Sequence, residues 1–154
     1  MTHVNDMPGH LVRRFHQAAV AIFHKAVGDL GCDLTPVQFA ALAKVASSPG
    51  IDQVTLAGLI AYDRTTITGV VDRLVQKKLM VREVSDRDRR ARVLRLTGQG
   101  KAVLRQVTPA VEAAQAVMLQ GLDSNEAAAF LRLLHKATAA VNELSRAPLK
   151  ENAE

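Results

Sequence analysis

The sequence predicts a mainly α-helical fold with one small β-hairpin. Three observations support this prediction. Apolar residues recur at intervals of three and four over most of the chain, the interval shortens to two only between residues 79 and 96, and a short polar segment divides that stretch. With 154 residues, of which 48% are hydrophobic, the chain can bury the core of one domain.

Two helices are predicted in the first third of the chain. Apolar side chains between Leu11 and Val27 follow one helical face, and the segment 28–31, which begins and ends with glycine, terminates this first helix. Thr35 and Pro36 form an N-cap and first-turn pair for the second helix, which the Ser-Ser-Pro-Gly segment at 47–50 ends.

Residues 52–77 predict two short helices joined by a tight break. Asp52 can cap the third helix, residues 61–63 form the break, and residues 64–77 continue as the fourth helix. Two short helices joined in this way make a helix-turn-helix. The apolar residues expected on the inner face of the fourth helix are Ile67, Val70, Val71 and Leu74.

A β-hairpin and two long helices complete the predicted fold. Residues 79–84 and 92–96 alternate apolar and charged side chains, as half-buried strands do, and residues 85–91 form a highly charged loop. A fifth helix is expected from Thr97 to about Gln120, with a bend or break at Pro109. Asp123 and Glu126 are spaced as a capping box that starts a sixth helix, and residues 148–154 are expected to fray.

The positive charge of the chain is concentrated in its centre. Between Tyr62 and Arg105 there are twelve basic and five acidic residues, a net charge of +7, whereas the remainder has a net charge of −2. A positive excess confined to less than a third of the chain favours a polyanionic partner, and nucleic acid is the commonest soluble one. The alternative is a basic face that contacts only solvent.

A helix-turn-helix followed by a basic hairpin is a winged helix, and its parts suit double-stranded DNA. Small hydroxyl side chains and a glycine let the fourth helix enter a major groove, where threonine and arginine can contact bases. Arginines of the hairpin loop, the wing, can enter a minor groove. Asp86 and Asp88 are expected to orient these arginines; the alternative is that they only form surface ion pairs with them. The candidate residues are Arg64, Thr65, Thr66, Thr68 and Gly69 on the helix, and Arg87, Arg89 and Arg90 on the wing.

Five motifs follow one another between residues 63 and 100. They are Asp63-Arg64-Thr65-Thr66-Ile67-Thr68, Val71-Asp72-Arg73-Leu74, Lys77-Lys78-Leu79, Asp86-Arg87-Asp88-Arg89-Arg90-Ala91 and Leu96-Thr97-Gly98-Gln99-Gly100. Together these motifs resemble the MarR family of bacterial transcriptional regulators. The resemblance implies a winged helix-turn-helix flanked by N- and C-terminal dimerisation helices. It also implies that Asp72 and Arg73 hold the recognition helix against the wing, with Arg73 on a phosphate. The family usually has glycine where Lys78 stands, so this lysine must adopt a left-handed conformation or end the helix differently.

The terminal helices contain more apolar surface than one small winged helix can cover. Their exposed faces are therefore expected to pair with a second copy of the chain, and the alternative is a compact monomer. The predicted organisation is one interwoven domain, with residues 1–34 and 98–154 as the helical dimerisation region and residues 35–97 as the DNA-binding region. We expect a homodimeric repressor that binds a pseudo-palindromic operator.

The resemblance also implies a small aromatic carboxylate as effector, bound between the dimer helices and the winged helix. The chain is similar to the branch of nicotinate-degradation repressors, which implies a hydroxynicotinate or hydroxybenzoate. An arginine fork suits a carboxylate, and an imidazole can hydrogen-bond a ring hydroxyl. The alternative is that the basic residues face solvent or form ion pairs at the dimer interface. The candidate residues are His10, Arg13, Arg14 and His16 on the first helix, Phe39 on the second and Tyr62 at the turn.

Other classes of function have weaker support. The five histidines include no H-x-x-x-H pair and Cys32 is the single cysteine, so no metal, cofactor or internal disulfide is expected. No nucleophile or phosphate-loop motif indicates an enzyme. No stretch is apolar enough to span a membrane and no secretory signal is present, which favours the cytoplasm. The remaining alternative is a dimeric small-molecule- or metal-binding protein, or a small enzyme, without specific DNA binding.

Overall fold

The computed structural model describes residues 3–151, and helices make up most of this range. Within it there are six α-helices and one two-stranded antiparallel sheet, which confirms the predicted winged-helix fold class. The helices are α1 (Pro8–Gly28), α2 (Pro36–Ser47), α3 (Gln53–Leu59), α4 (Arg64–Gln76), α5 (Gly98–Met118) and α6 (Ser124–Ala140). The strands are β1 (Met80–Val84) and β2 (Arg92–Leu96), and short 3₁₀ segments cover Val4–Asp6 and Asn142–Leu144.

Side-chain caps start five of these helices. At α2, Thr35 accepts the backbone N–H of Gln38 while the Gln38 side chain accepts the N–H of Thr35, which closes a capping box. Asp123 and Glu126 close the predicted capping box at α6. Such caps satisfy N–H groups that have no partner inside the helix. The three remaining caps are Asp52, Asp63 and Thr97.

The core lies where α2, α3, α4 and the sheet meet. Leu42, Leu56 and Leu94 are fully buried there. All four apolar residues predicted for the inner face of α4 are also buried. Burying one such side chain contributes about 1.5–3 kcal/mol, so this core holds α4 in place and leaves its opposite face in solvent.

Strand β2 is hydrogen-bonded along both edges. Met80 pairs with Leu96 and Val84 with Arg92 on the β1 side. On the other side, Gly50 donates to the carbonyl of Leu94 (2.8 Å), and Leu94 donates to the carbonyl of Ile51 (2.9 Å). The wing is therefore anchored to the segment that follows α2 as well as to its own hairpin partner.

Helix α5 passes through Pro109 without a break, so the expectation of a break there is wrong. Proline removes one backbone donor and crowds the preceding turn. Residues before and after it are nevertheless packed into the core, since Val107, Val111 and Ala114 are buried. The hydroxyl of Thr108 also donates to the carbonyl of Leu104 (2.7 Å). Packing on both sides of the proline therefore keeps the helix continuous.

Lys78 adopts the left-handed conformation that its position at the end of α4 requires, with φ of 59°. Lys78 donates its N–H to Val75 (2.9 Å) and Leu79 donates to Leu74 (3.0 Å). This pair of hydrogen bonds is a Schellman motif, in which glycine is the preferred left-handed residue. The wing thus begins where the family pattern predicts, although a lysine occupies the turn.

We expect Lys78→Gly to raise the free energy of unfolding by about 0.5–1 kcal/mol, because relief of the left-handed strain exceeds the added entropy of the unfolded chain. Lys78→Ala is the matched control: it removes the same charge but keeps a Cβ at the strained position, so it should bring no such gain. Urea denaturation measures both. A glycine variant no more stable than the alanine variant would contradict this interpretation.

The C-terminal segment docks on the helix-turn-helix, so the expectation that it frays from residue 148 is wrong for residues 148–150. The amide of Asn142 donates to the carbonyl of Leu149 (3.0 Å) and accepts its N–H (2.8 Å). This brings Lys150 to α3, where its N–H donates to the carbonyl of Gly58 (2.9 Å). Residues 152–154, which the same expectation covered, lie outside the described range.

Helix α6 is the least buried of the helices. None of its residues is buried, and Leu131 and Leu133 are 45% and 52% exposed. One aromatic contact joins it to α1, with the ring centroids of Phe15 and Phe130 5.5 Å apart. In the part of the chain that the structure describes, no helix has the length and apolar character to cross a membrane.

Candidate nucleic-acid interface

The first turn of α4 is held by the carboxylate of Asp63. Its two oxygens accept the backbone N–H of Thr66 (2.9 Å) and the Thr66 hydroxyl (2.8 Å). These bonds, with a smaller contribution from Arg146 at 3.6 Å, hold the pKa of Asp63 below its ordinary value. Asp63 is therefore charged at neutral pH. Since the hydroxyl proton of Thr66 is engaged by this cap, it is not available to a base.

The outward face of α4 presents the other helix residues predicted to contact DNA. Arg64, Thr65 and Thr68 are exposed. The Thr68 hydroxyl donates to the carbonyl of Arg64 (2.9 Å) and accepts from Nε2 of Gln53 on α3 (3.0 Å). Its position is thus fixed by both helices of the motif. Thr65 makes no side-chain hydrogen bond to any residue in the range 3–151, so its hydroxyl remains available for a partner.

Gly69 lies on the same exposed face, and no neighbouring residue in the described range requires a glycine at this position. A Cβ at this position would meet nothing within 4 Å. Its φ is not in the left-handed region, so the backbone would accept a larger residue. Because Gly69 has no side chain, the helix surface is flat here. A flat surface lets the helix come close to the floor of a DNA major groove.

The recognition helix is tied to the wing by an ion pair. Asp72 accepts from Nη1 of Arg82 on β1 at 2.7 Å. The resemblance implied that Asp72 and Arg73 together hold α4 against the wing, and the structure makes this contact through Asp72. Arg73 is exposed and forms no ion pair with any carboxylate among residues 3–151. Its guanidinium is thus available for a phosphate.

The wing loop exposes its three arginines. Asp88 accepts the backbone N–H of Arg90 (2.9 Å), and Ser85 accepts that of Arg87 (3.2 Å). Asp88 therefore orders the backbone of the turn. It was expected to orient an arginine side chain, and it pairs with none among the described residues. Across the described range, neither Asp86 nor Asp88 forms an ion pair with Arg87, Arg89 or Arg90. The surface ion pairs considered as an alternative are not formed.

The residues predicted to bind an effector are spread over three elements. On α1, Nη2 of Arg13 lies 3.4 Å from Nδ1 of His10, and Nη1 of Arg13 donates to Gln17 (2.9 Å). The observed pair on this helix is therefore His10 with Arg13. Arg14 and His16 are exposed.

The other two candidates lie apart from this pair. Phe39 packs edge-on against Phe23, with centroids 6.1 Å apart, and Tyr62 is 37% exposed. Within residues 3–151, no hydrogen bond, ion pair or ring contact joins the four α1 residues to Phe39 or Tyr62. In a single chain the six residues do not form a closed site.

Three positioning residues were not singled out from the sequence. Gln53 and Arg82 hold Thr68 and Asp72, and Arg146 lies beside Asp63. Each partner is ten or more positions away, so no helical or strand spacing could have paired them. The same residue range contains no cluster of three or more histidine, cysteine or acidic side chains arranged to hold a metal ion.

Comparison with known proteins assigns the chain to a family. The MarR family model matches residues 34–91. The transcriptional repressor NicR of Pseudomonas putida is 32% identical over 135 residues, which cover 86% of this chain and 83% of NicR. The chain belongs to the MarR family. It is therefore a transcriptional regulator, and the resemblance seen in its motifs is confirmed.

Solved structures of MarR-family regulators share the whole architecture. PcaV of Streptomyces coelicolor, in complex with its natural ligand, superposes with a TM-score of 0.84 and 31% identity, covering 92% of this chain and 98% of PcaV. BpsR of Bordetella bronchiseptica, whose DNA binding is regulated by 6-hydroxynicotinic acid, gives a TM-score of 0.83 and 31% identity, covering 90% and 97%. The shared fold includes the long terminal helices, as expected for this family.

Proposed function

We propose that the protein is a ligand-responsive repressor that binds a pseudo-palindromic operator as a homodimer. One observation carries the DNA-binding part: the exposed face of α4 lies beside a wing whose three arginines have no carboxylate partner within residues 3–151. Each recognition helix would enter a major groove, with the two half-sites about one helical turn apart, and each wing would reach the flanking minor groove.

The residues of the interface would have distinct roles. Arg64 and Thr65 would contact base edges, with Gly69 giving the groove close access. Thr68, held by Gln53, would present its methyl group and remaining lone pair, and Thr66 would act through the helix cap. Arg73 would bind a phosphate. The wing arginines Arg87, Arg89 and Arg90 would be attracted by the potential of the minor groove.

The proposed dimer is supported by the apolar surface of the terminal helices. No residue of α6 is buried in the single chain, and Leu131 is 45% exposed. On α1, Leu11 and Val12 are 47% and 58% exposed. Apolar faces of this size, on elements outside the winged helix, suit a symmetric interface with a second copy. Residues 1–34 and 98–154 would form this dimerisation region, and residues 35–97 the DNA-binding region.

We expect Leu131→Glu to convert the dimer into a monomer at micromolar concentration. A carboxylate buried at an apolar interface without a partner costs several kcal/mol, which corresponds to a dimer at least about a hundredfold weaker. Size-exclusion chromatography with light scattering measures the mass. The control is Val84→Glu, the same type of change at a 53% exposed position on β1. If the wild-type chain is a monomer, or the Leu131 variant stays dimeric, this interface is wrong.

The proposed effector is a small aromatic carboxylate with a ring hydroxyl, such as a hydroxynicotinate or hydroxybenzoate. BpsR is 31% identical in sequence to this chain, and 6-hydroxynicotinic acid regulates the DNA binding of BpsR. In the assembled dimer, an arginine of α1 (Arg13 or Arg14) would bind the carboxylate and His10 or His16 would bond the hydroxyl. Phe39 and Tyr62 would contact the ring. The two winged helices of the dimer would have one arrangement that fits the operator and one that does not. The ligand would act by binding more tightly to the arrangement that does not fit.

The test is a fluorescence-anisotropy titration of the protein with its own upstream DNA, at two salt concentrations, with a panel of hydroxynicotinates and hydroxybenzoates. We expect sequence-specific, salt-sensitive binding that one compound releases. Arg14→Ala should bind DNA normally but respond less to that compound. Binding that no compound releases would refute the effector part. No specific binding at either salt concentration would refute the repressor and favour a ligand-binding dimer or small enzyme.

A further inference from the structure

A cavity of about 370 Å³ opens where the end of α2, the end of β2 and the first turns of α5 meet. It contains none of the residues assigned above to DNA or to the effector. Strand β2 runs away from the wing loop, and its residues 92–94, about 10 Å long at roughly 3.3 Å per residue, lie between this loop and the cavity residue Arg95. The cavity therefore needs its own explanation.

Three cations line this cavity. Arg95 comes from β2, while Lys101 and Arg105 lie four residues apart on one face of α5. No acidic residue lines the cavity. In the part of the chain described here, none of these side chains forms an ion pair or donates a hydrogen bond, whereas Lys25 and Lys77 each reach a carboxylate within 3.1 Å. Like charges around one concavity repel each other, and the concavity concentrates their field on an incoming anion.

The position of Arg95 depends on the turn before α3. Gly50 has a φ of 83°, which favours glycine, and a Cβ there would lie 3.1 Å from Nη2 of Arg95. The N–H of Gly50 donates to Leu94, the residue next to Arg95. The turn thus leaves room for the guanidinium beside the cavity and fixes the strand that presents it.

The floor of the cavity is apolar. Val45 is fully buried, and Leu96 and Leu104 are half-buried against the core. An inorganic anion would gain nothing from such a floor, whereas a ligand with an apolar body would bury it there. The volume lies in the range of small-molecule sites, about 300–1,000 Å³.

We propose that this cavity binds a small organic carboxylate, with the acid group among Arg95, Lys101 and Arg105 and the apolar body on Leu96 and Leu104, above the buried Val45. The site is separate from the proposed effector region on α1 and does not depend on it. A bound ligand would contact β2, which belongs to the wing, and α5, which leads to the terminal helices.

The test uses the full-length protein and 2-naphthoate as the probe, with binding measured by calorimetry and mapped by amide NMR. We expect shifts centred on residues 45–49, 95–96 and 101–105. The neutral analogue 2-naphthamide and inorganic phosphate should each bind at least about tenfold more weakly. The amide lacks the negative charge, and phosphate lacks the apolar body. Phosphate binding as tight as naphthoate would overturn the assignment of an organic ligand.

Matched variants identify the residues. The double variant Arg95→Gln with Arg105→Gln should lower the affinity for naphthoate at least about tenfold, because it removes two charge-assisted contacts. Ala46→Trp, at the exposed rim, should block the cavity without removing charge. Lys25→Gln removes an exposed cation on α1 and should leave binding unchanged.

The result also separates this site from the proposed function. If Arg14→Gln weakens the binding of naphthoate and the Arg95 and Arg105 double variant does not, the carboxylate binds on α1 and the inference is wrong. If that double variant loses affinity for operator DNA but keeps naphthoate, these cations contact DNA and the inference is equally wrong. Naphthoate binding lost only in the cavity variants supports the site, whatever the outcome of the operator titration.

Discussion

The Gly100→Ala variant is expected to lose a substantial part of its stability, although the change adds one methyl group. Gly100 is buried in the first turn of α5. A Cβ there would lie 1.9 Å from the carbonyl oxygen of Leu79 and 2.9 Å from its carbonyl carbon. Since both atoms belong to the backbone, no side-chain rotation can relieve the overlap, and α5 must move away from the end of α4.

That movement would break the bonds that join the two helices. Thr97 donates its N–H to Leu79 (3.1 Å) and its hydroxyl to the carbonyl of Lys78 (2.7 Å). Overpacking costs about 1–3 kcal/mol and each lost hydrogen bond about 1 kcal/mol, so we expect a loss of at least about 3 kcal/mol in the free energy of unfolding. A small domain has only about 5–15 kcal/mol in total.

Gly98→Ala is the matched control for this prediction. It lies two residues earlier in the same helix, and a Cβ there would meet nothing within 4 Å. We expect it to be neutral or stabilising by up to about 1 kcal/mol, because alanine favours the helix and restricts the unfolded chain. Urea denaturation followed by circular dichroism compares the two variants. Equal stability of both would show that the contact between α5 and Leu79 is not tight.

Replacing Arg89 and Arg90 together with alanine is expected to weaken operator binding at least about tenfold and to flatten its salt dependence. Each cation that leaves a phosphate lowers the slope of log K against log salt by about one. Both side chains lack a carboxylate partner within residues 3–151, so the variant should lose DNA contacts and keep the stability of the fold.

The control removes two exposed cations from helices outside the winged helix, in Lys25→Ala with Lys136→Ala. Its net charge matches that of the wing variant, so a difference between them reflects position and not charge alone. Arg64→Ala provides the contrast: it should cost about 1–3 kcal/mol of discrimination between operator and random DNA, with a smaller effect on the salt slope. An unchanged affinity and slope in the wing variant would remove the wing from the interface.

Local signals in the sequence predicted most of the fold. The caps Asp52 and Asp123 and the inner face of α4 depend on residues within a few positions of each other, which sequence spacing records. A bend or break was predicted at Pro109 because local preference was considered alone, and α5 continues through it without a break. Packing of Val107 and Val111 from distant elements decides the outcome, and spacing within one helix carries no information about it.

The candidate interface was predictable in part for the same reason. Exposure of Arg64 follows from the period of the helix, and exposure of the wing arginines follows from their place in a highly charged loop between two strands. The engagement of Thr66 by Asp63, and the link from Gln53 to Thr68, depend on which of several partners a hydroxyl meets in three dimensions. The proposed effector residues lie on α1, on α2 and in the turn before α4, and spacing within one helix carries no information about how these elements approach each other.

The docked C-terminal segment has a consequence for the order in which the molecule folds. The bond from Lys150 to Gly58 closes a loop of about 90 residues, which costs roughly 4 kcal/mol of chain entropy if it forms early. Docking of the segment after α4, the wing and α5 have folded costs less entropy, because only the segment itself must then be ordered. Because few of its residues are buried, it can also detach without unfolding the core. Arg146 then leaves Asp63, so the first turn of the recognition helix is the part of the DNA-reading surface that this local opening reaches.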